Sequence, residues 1–166
     1  MKVLSIDLAS KRSGWAVLDG SEVLSAGIIR PMGSKGFWVI DAVGGERVLK
    51  ADKAGCWAHL VGLAGSVVVE RSYVGQRASA VVALSRIRGY VDARCEDRGL
   101  VCADMAPSEW RRIVREIGLV GAWPAGREAK KALAVAVAAK ASGLEGLGED
   151  EAEAILLGLA WQATQV

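Results

Sequence analysis

Two acidic residues occupy positions where a carboxylate is costly unless something binds it. Asp7 directly follows the apolar, β-branched segment 2–6, and Glu70 directly follows the valine run 67–69. An acid at the end of a buried strand loses solvation, so it requires a partner, a proton or a metal ion. If these two strands lie side by side, Asp7 and Glu70 form a chelating pair.

A second pair of acids lies near the C-terminus, in the segment GEDEAEAILLGLAW. Asp150 and Glu153 are three residues apart and therefore share one side of a predicted helix. Spacing alone leaves Glu149 equally eligible beside Glu153, whereas Glu151 falls about 160° away around the helix. Together with strand-end acids, such helical acids can hold two Mg²⁺ ions for phosphodiester hydrolysis. A competing interpretation is that acids in a first turn simply complement the helix dipole.

Hydrophobic patterning supplies the elements that must position these acids. An Asp19-Gly20 turn predicts a hairpin between the second and third strands. The coarse order is β-β-β-α-β-α-β-α-α-α, with residues 31–35 as a loop. We predict strands over 2–6, 13–18, 22–30, 67–69 and 100–103, and helices over 42–65, 78–96, from Pro107, 127–141 and 150–162.

Length and composition limit the class of protein. The 166 residues, 52% of them hydrophobic, indicate one domain spanning 1–166. No apolar run reaches the roughly 18 residues of a membrane span, and MKVLSIDLAS lacks signal-peptide features, so we expect a cytoplasmic protein. The three cysteines contain no CxxC pair, which argues against a disulfide framework or zinc site. With His59 as the one histidine, His-dependent triads are disfavoured.

The charge is distributed unevenly along the chain. The last 26 residues carry five acids and no Lys or Arg, whereas the first 140 carry 21 bases against 14 acids, a net of +7. A basic body with a local acidic cluster suits a protein that binds a polyanion and also holds divalent cations. A chance fluctuation in surface charge explains the same numbers equally well.

Three segments follow one another along the chain: SIDLASKRSGWAVLDG, VVVERSYVGQRASAVVALSRIRGYV and, near the end, DEAEA. The first is similar to the first hairpin of the RuvC family, within the ribonuclease H-like superfamily, and the second is similar to that family's next strand and helix. DEAEA matches its closing pattern of acid, any residue, Ala, acid, Ala. The resemblance implies an α/β, ribonuclease H-like fold, with a mixed five-stranded sheet (three antiparallel strands, then two parallel) flanked by helices.

The resemblance also assigns roles to the acids. It selects Asp150 over Glu149 and implies that Asp7, Glu70, Asp150 and Glu153 are metal ligands and catalytic carboxylates. They would hold two Mg²⁺ ions per active site, with Mn²⁺ as a substitute. Glu at position 153 is a departure, because bacterial members more often have Asp there.

Several basic residues and one aromatic residue are implicated by the same resemblance. Lys130 is the better match to an active-site base, and Lys131 beside it is the alternative; both could equally just solvate a helix start. Tyr73 corresponds to an aromatic residue that protrudes into the junction centre, although a half-buried loop tyrosine is the plain alternative. The proposed DNA contacts are Arg71, Arg77, Arg86, Arg88, Arg111, Arg112 and Lys131.

The implied function is a structure-selective endonuclease that resolves four-way DNA junctions by paired nicks. The implied assembly is a homodimer, since a four-way junction has two-fold symmetry. Location in a bacterial cell or a phage-infected host follows from the family. Another ribonuclease H-like nuclease, acting on branched DNA or RNA–DNA hybrids, would share the same acids. A junction-binding protein without catalysis is disfavoured because all four acids are present, and an actin-like ATPase by the chain length and the missing P-loop.

Overall fold

The computed structural model describes residues 1–71 and 78–165. Within them, the seven strands form one sheet in the order β5-β4-β3-β2-β1-β6-β7, with helices on both faces. The elements, in chain order, are β1 (Lys2–Asp7), β2 (Ser13–Asp19), β3 (Glu22–Met32), β4 (Phe37–Ala42), β5 (Arg47–Asp52), α1 (Lys53–Val61), β6 (Ser66–Glu70), α2 (Ala78–Asp97), β7 (Val101–Met105), α3 (Pro107–Glu116), α4 (Arg127–Ser142) and α5 (Glu149–Ala163).

The centre of the sheet has the arrangement expected from the sequence. Strands β1, β2 and β3 pair antiparallel, and β6 and β7 add in parallel to β1. Ile6 pairs with Val69, so the next residues along the two parallel strands, Asp7 and Glu70, end at the same edge of the sheet. The adjacency that the chelating pair requires is therefore confirmed.

The five-stranded prediction is wrong, because β4 and β5 extend the sheet beyond β3. The predicted helix over 42–65 is wrong in its first half for the same reason: α1 begins only at Lys53. Gly44 and Gly45, with φ of 92° and 83°, make a tight turn that joins the two strands. A two-glycine hairpin turn of this kind is a recognisable signal, but the spacing of the apolar residues around Val48 and Leu49 also fits a helix, and here it predicts the wrong element.

The remaining helices lie close to their predicted positions. Pro107 is in the first turn of α3, where its missing N–H costs no helical hydrogen bond. Gly143 ends α4 in the left-handed region, with φ of 70°. Helix α5 begins at Glu149, one residue earlier than predicted. No helix in the described parts of the chain combines the length and hydrophobicity that a membrane crossing requires.

Helix α5 packs closely on β1 and β2 and is buried over most of its surface. Ser5 on β1 donates a hydrogen bond to the Ala154 carbonyl at 2.6 Å. A Cβ at Gly158 would lie 2.3 Å from Leu18 Cδ1 and 2.8 Å from Ser5 Oγ, so the glycine lets the helix approach β1 and β2 without displacing these side chains. The opposite face of the sheet is covered by α1 and α2, which bury Trp57 and Ile87. The central helix is thereby fixed relative to the strand that carries Asp7.

Candidate active site

The four predicted acids come from three elements that meet at one edge of the sheet. Asp7 and Glu70 are the last residues of the neighbouring parallel strands β1 and β6. Asp150 and Glu153 come from the first turns of α5. Gly14, the cross-strand partner of Asp7, permits this approach, because a Cβ there would lie 1.9 Å from the Asp150 carbonyl oxygen.

Asp7 is repelled by each of the other three carboxylates. Burial is the largest cause that raises the pKa of Asp7 well above its ordinary value. The negative charges of Glu70, Glu153 and Asp150, in that order, raise the pKa further. Lys131 is the cation that lowers it. Asp7 is thus the centre of a concentration of negative charge that a bound cation would relieve.

Glu70 is held by a tryptophan. Trp110 on α3 is fully buried and donates its indole N–H to Glu70 Oε2 at 2.6 Å. Burial raises the pKa of Glu70, and the Trp110 hydrogen bond opposes this rise because it favours the charged carboxylate. The Trp110 ring packs edge-on against Trp123 at 5.7 Å between ring centroids. Trp123 in turn donates to the Arg111 carbonyl at 2.9 Å.

Arginine side chains hold the two acids of α5. Arg12, in the β1–β2 connection, bonds Asp150 at 2.7 Å, and Arg111 on α3 bonds Glu153 at 3.1 Å. With these partners in place, no three Asp, Glu, His or Cys side chains in residues 1–71 and 78–165 converge closely enough to chelate one ion. Metal binding by these acids therefore requires their side chains to move closer together.

The donor set nevertheless fits a hard divalent cation. All four candidate ligands are carboxylates, which Mg²⁺ and Mn²⁺ prefer, and no nitrogen or sulfur ligand stands among them. The repulsion felt by Asp7 is the second indication, because mutually repelling carboxylates are stabilised by a cation between them. Asp7, Glu70, Asp150 and Glu153 are accordingly the residues that could hold metal.

A basic cavity of about 360 Å³ opens beside the acids. Its charge is dominated by cations, and it lies at the start of α4. Its lining residues are Arg111, Gly126, Arg127, Lys130, Lys131 and Glu153. Lys131 is ion-paired with Glu149, which raises the pKa of Lys131. A cavity with four cationic side chains next to carboxylates is suited to a phosphate group of a polyanion.

Of the predicted basic residues on α3 and α4, all but one lie at the basic cavity. Arg111, Lys130 and Lys131 meet at the basic cavity, and Lys131 is the one whose charge acts on Asp7. Arg112 instead pairs with Glu116 one turn along α3 at 2.6 Å.

Arg71, just after β6, and Arg86 and Arg88 on α2 lie outside the basic cavity. Arg88 is bound to Asp92 and Asp104. Arg86 lines a separate cavity beside Lys53. Arg71 is exposed, just after Glu70. Tyr73 and Arg77 lie outside the described residues, and their roles stay predictions.

Sequence reasoning missed three side chains that the structure brings to the site: Arg12, Trp110 and Arg127. Arg12 carried a usable signal, because it lies in the turn that follows Asp7. Trp110 carried none, since an indole that serves a carboxylate is indistinguishable in sequence from a core tryptophan. Arg127 is the first residue of α4, and an arginine at a helix start does not by itself indicate a binding role.

Comparison with known proteins identifies the fold. The chain matches no protein-family model, and no curated protein sequence matches it. Among solved structures, it is similar to Thermus thermophilus RuvC in complex with a Holliday junction substrate, with a TM-score of 0.68 and 12% identity over 99% of this chain and 96% of that one. A second T. thermophilus RuvC structure gives a TM-score of 0.58 and 16% identity over the same shares.

The chain has the RuvC fold. Because the likeness extends over nearly the whole of both chains, the RuvC fold accounts for the central strands and for the helix that carries Asp150 and Glu153. The low identity explains why the resemblance is confined in the sequence to short motifs around the acids.

Proposed function

We propose that the chain is a metal-dependent endonuclease that resolves four-way DNA junctions. The observation that carries the proposal is the placement of Asp7, Glu70, Asp150 and Glu153, from two parallel strands and one helix, at a single edge of a RuvC fold, where the other three acids repel Asp7. T. thermophilus RuvC is a protein solved with a Holliday junction bound, which supports the same substrate here.

The roles of the residues follow from their positions. The four carboxylates would hold two Mg²⁺ ions, with Mn²⁺ as a substitute. Bound there, the ions would supply charge stabilisation for the attacking and leaving oxygens of a phosphodiester. Trp110 fixes the orientation of Glu70, and Lys131 offsets negative charge at Asp7. Lys130, Arg111 and Arg127 bind phosphates of the strand in the basic cavity.

A homodimer is part of the proposal. A four-way junction has two-fold symmetry, so two copies of the site related by a two-fold axis can nick opposed strands. Tyr73 is proposed to stack on a base at the junction centre. Arg71, which follows Glu70 directly, is proposed to contact the adjacent backbone.

The test is a cleavage assay on three labelled substrates of equal length: a four-way junction, a linear duplex and an RNA–DNA hybrid. With Mg²⁺ we expect paired symmetric nicks in the junction and little cleavage of the other two. Asp7→Asn should abolish the nicks and leave junction binding in place. Preferential cleavage of the hybrid would favour a different ribonuclease H-like activity, and full activity in excess chelator would contradict the metal mechanism.

A further inference from the structure

The β4–β5 hairpin places a basic surface on the face of the sheet that carries Asp7, near the edge at which β1 and β6 end. The cross-strand register connects Asp7 to Gly14, Gly14 to Ile28, and Ile28 to Asp41 on β4. Residues paired across a sheet share a face, so Asp41 lies on the face that carries Asp7.

The next row of residues paired across the sheet, beyond Asp41, contains two basic residues, Arg30 and Lys50. Arg30 pairs with Val39, and Val39 pairs with Lys50 on β5. Because β3 runs parallel to β1, Arg30 and Lys50 lie further along the direction in which β1 ends at Asp7. Arg47 bonds Asp41 from the same face. We define the hairpin surface as Arg30, Arg47 and Lys50.

The ion pairs within the hairpin surface do not neutralise all of its positive charge. Asp41 is buried and binds Arg30 at 3.0 Å and Arg47 at 3.2 Å, so one acid is shared by two arginines. Both arginine side chains remain about 40% exposed (38% and 44%). Lys50 is exposed, and its ammonium lies 5.0 Å over the ring centroid of Phe37, which is itself 43% exposed.

Two other acids of the hairpin do not offset this charge. Asp52 accepts the Gly55 N–H at 2.7 Å and so caps α1. Glu46 lies in the β4–β5 turn, at the end of the hairpin that points away from the row of Lys50. Helix α1 packs against the opposite face of β4 and β5, through Trp57 and its neighbours. The hairpin surface is thus not used to pack that helix.

We propose that the hairpin surface binds the phosphate backbone of a duplex DNA arm leading away from the cleavage site. The proposal rests on the function proposed above. Strands lie about 4.8 Å apart, so β5 is roughly 19 Å across the sheet from Asp7. Along duplex DNA, with about 3.4 Å per base pair, this spans five or six base pairs. The contact therefore requires an arm longer than about six base pairs beyond the cut.

The arm length provides the test. Binding of the full chain is measured in chelator, to prevent cleavage, over a range of salt concentrations, with junctions whose arms have 4 or 15 base pairs. On long arms, Lys50→Gln should make the negative slope of log affinity against log salt shallower by about 0.9, the value for one lost phosphate contact. Arg47→Gln should do the same, while Lys50→Arg should keep the wild-type slope.

On short arms all these variants should match the wild type. Lys2→Gln is the matched control, because Lys2 is an exposed lysine at the opposite end of β1. Arg30 is left unchanged so that buried Asp41 keeps an arginine partner. A slope for Lys50→Gln and Arg47→Gln equal to that of Lys2→Gln on long arms would overturn the hairpin contact while leaving junction cleavage by the wild type intact. Equal losses on both arm lengths would overturn the assigned position, and absence of wild-type DNA binding would overturn both proposals.

Discussion

Trp110 donates its indole N–H to Glu70 Oε2 at 2.6 Å, so a fully buried ring on α3 fixes the carboxylate at the end of β6. The next residue, Arg111, bonds Glu153 on α5 and lies over the Trp110 ring, with its guanidinium carbon 4.6 Å from the ring centroid. Two consecutive residues of one helix therefore control two of the four acids. A change in α3 is therefore expected to alter the proposed metal site without replacing any of the four acids.

The first prediction concerns the Trp110 hydrogen bond. Trp110→Phe keeps an aromatic ring but removes the N–H, so Glu70 loses its orienting donor. Loss of a partner that orients a metal ligand typically lowers metal affinity 10- to 100-fold. We expect weaker Mn²⁺ binding by calorimetry and a higher Mg²⁺ concentration for half-maximal cleavage, with junction affinity unchanged.

Trp123→Phe is the control for this prediction. Trp123 contacts the Trp110 ring and donates to a backbone carbonyl instead of to an acid. Its replacement should cost stability without changing the Mg²⁺ dependence. If both variants shift the Mg²⁺ dependence equally, the effect is one of packing in α3, and the orienting role of the indole is wrong.

The acids could be predicted from the sequence, whereas their partners could not. Asp7 and Glu70 each end a short apolar strand, and that pattern can be recognised in the local sequence. Arg12 and Asp150 are far apart in the chain, and their pairing depends on how closely α5 approaches β2 at Gly14. Such a distance is a product of tertiary packing, so no local pattern encodes it.

The second prediction concerns how far ionised Asp7 destabilises the folded, metal-free protein. Its pKa is raised in the folded state by burial and by neighbouring acids, relative to an unfolded value near 3.9. The folded protein thus binds the proton more tightly, and stability falls as pH rises through the folded pKa. Asp7→Asn removes this loss, because an amide does not ionise.

Denaturant titrations in chelator provide the measurement. The free energy of unfolding of Asp7→Asn minus that of the wild type should be more positive at pH 8 than at pH 4. Added Mg²⁺ should stabilise the wild type and leave the variant unchanged. A difference that does not vary with pH would mean that Asp7 is not destabilised by its neighbours when ionised.

The third prediction concerns competition between arginine and metal. Arg12 bonds Asp150 Oδ2, so a metal ion held by Asp150 as proposed would compete with Arg12, and a guanidinium displaced from Asp150 would be available to a DNA phosphate. The Arg12 side chain is 47% exposed, and an exposed pair contributes about 0.2–1 kcal/mol. Arg12→Gln should therefore strengthen Mn²⁺ binding by at most about fivefold and weaken junction binding.

By linkage, a non-cleavable junction should strengthen Mn²⁺ binding to the wild type more than to Arg12→Gln. Arg112→Gln is the control, since Arg112 pairs with Glu116 on the exposed side of α3. Identical Mn²⁺ affinity in the wild type and Arg12→Gln, with and without DNA, would show that the Arg12–Asp150 pair does not compete with metal.

Strands β4 and β5, which the sequence did not predict, show a different limit of sequence reasoning. Residues 47–52 pair with β4 as an edge strand, although Val48 and Leu49 also fit the apolar spacing of a helix. Short apolar segments are ambiguous between the two periods, and only the pairing with β4 decides the outcome. The turn glycines Gly44 and Gly45 were the one local signal for a hairpin.

The fourth prediction separates the two lysines at the start of α4. Both lysines line the basic cavity, but of the two only the charge of Lys131 acts on Asp7. Removing a group that stabilises charge in the transition state costs about 100- to 1,000-fold in rate, and Lys131 is proposed to act in this way beside Asp7. Lys131→Gln should therefore lower the single-turnover rate by about that factor with little effect on junction affinity. Lys130→Gln should chiefly weaken binding and its salt dependence. Rates measured at saturating protein decide between them, and a larger rate loss for Lys130→Gln would return the catalytic role to Lys130, as the sequence resemblance suggested.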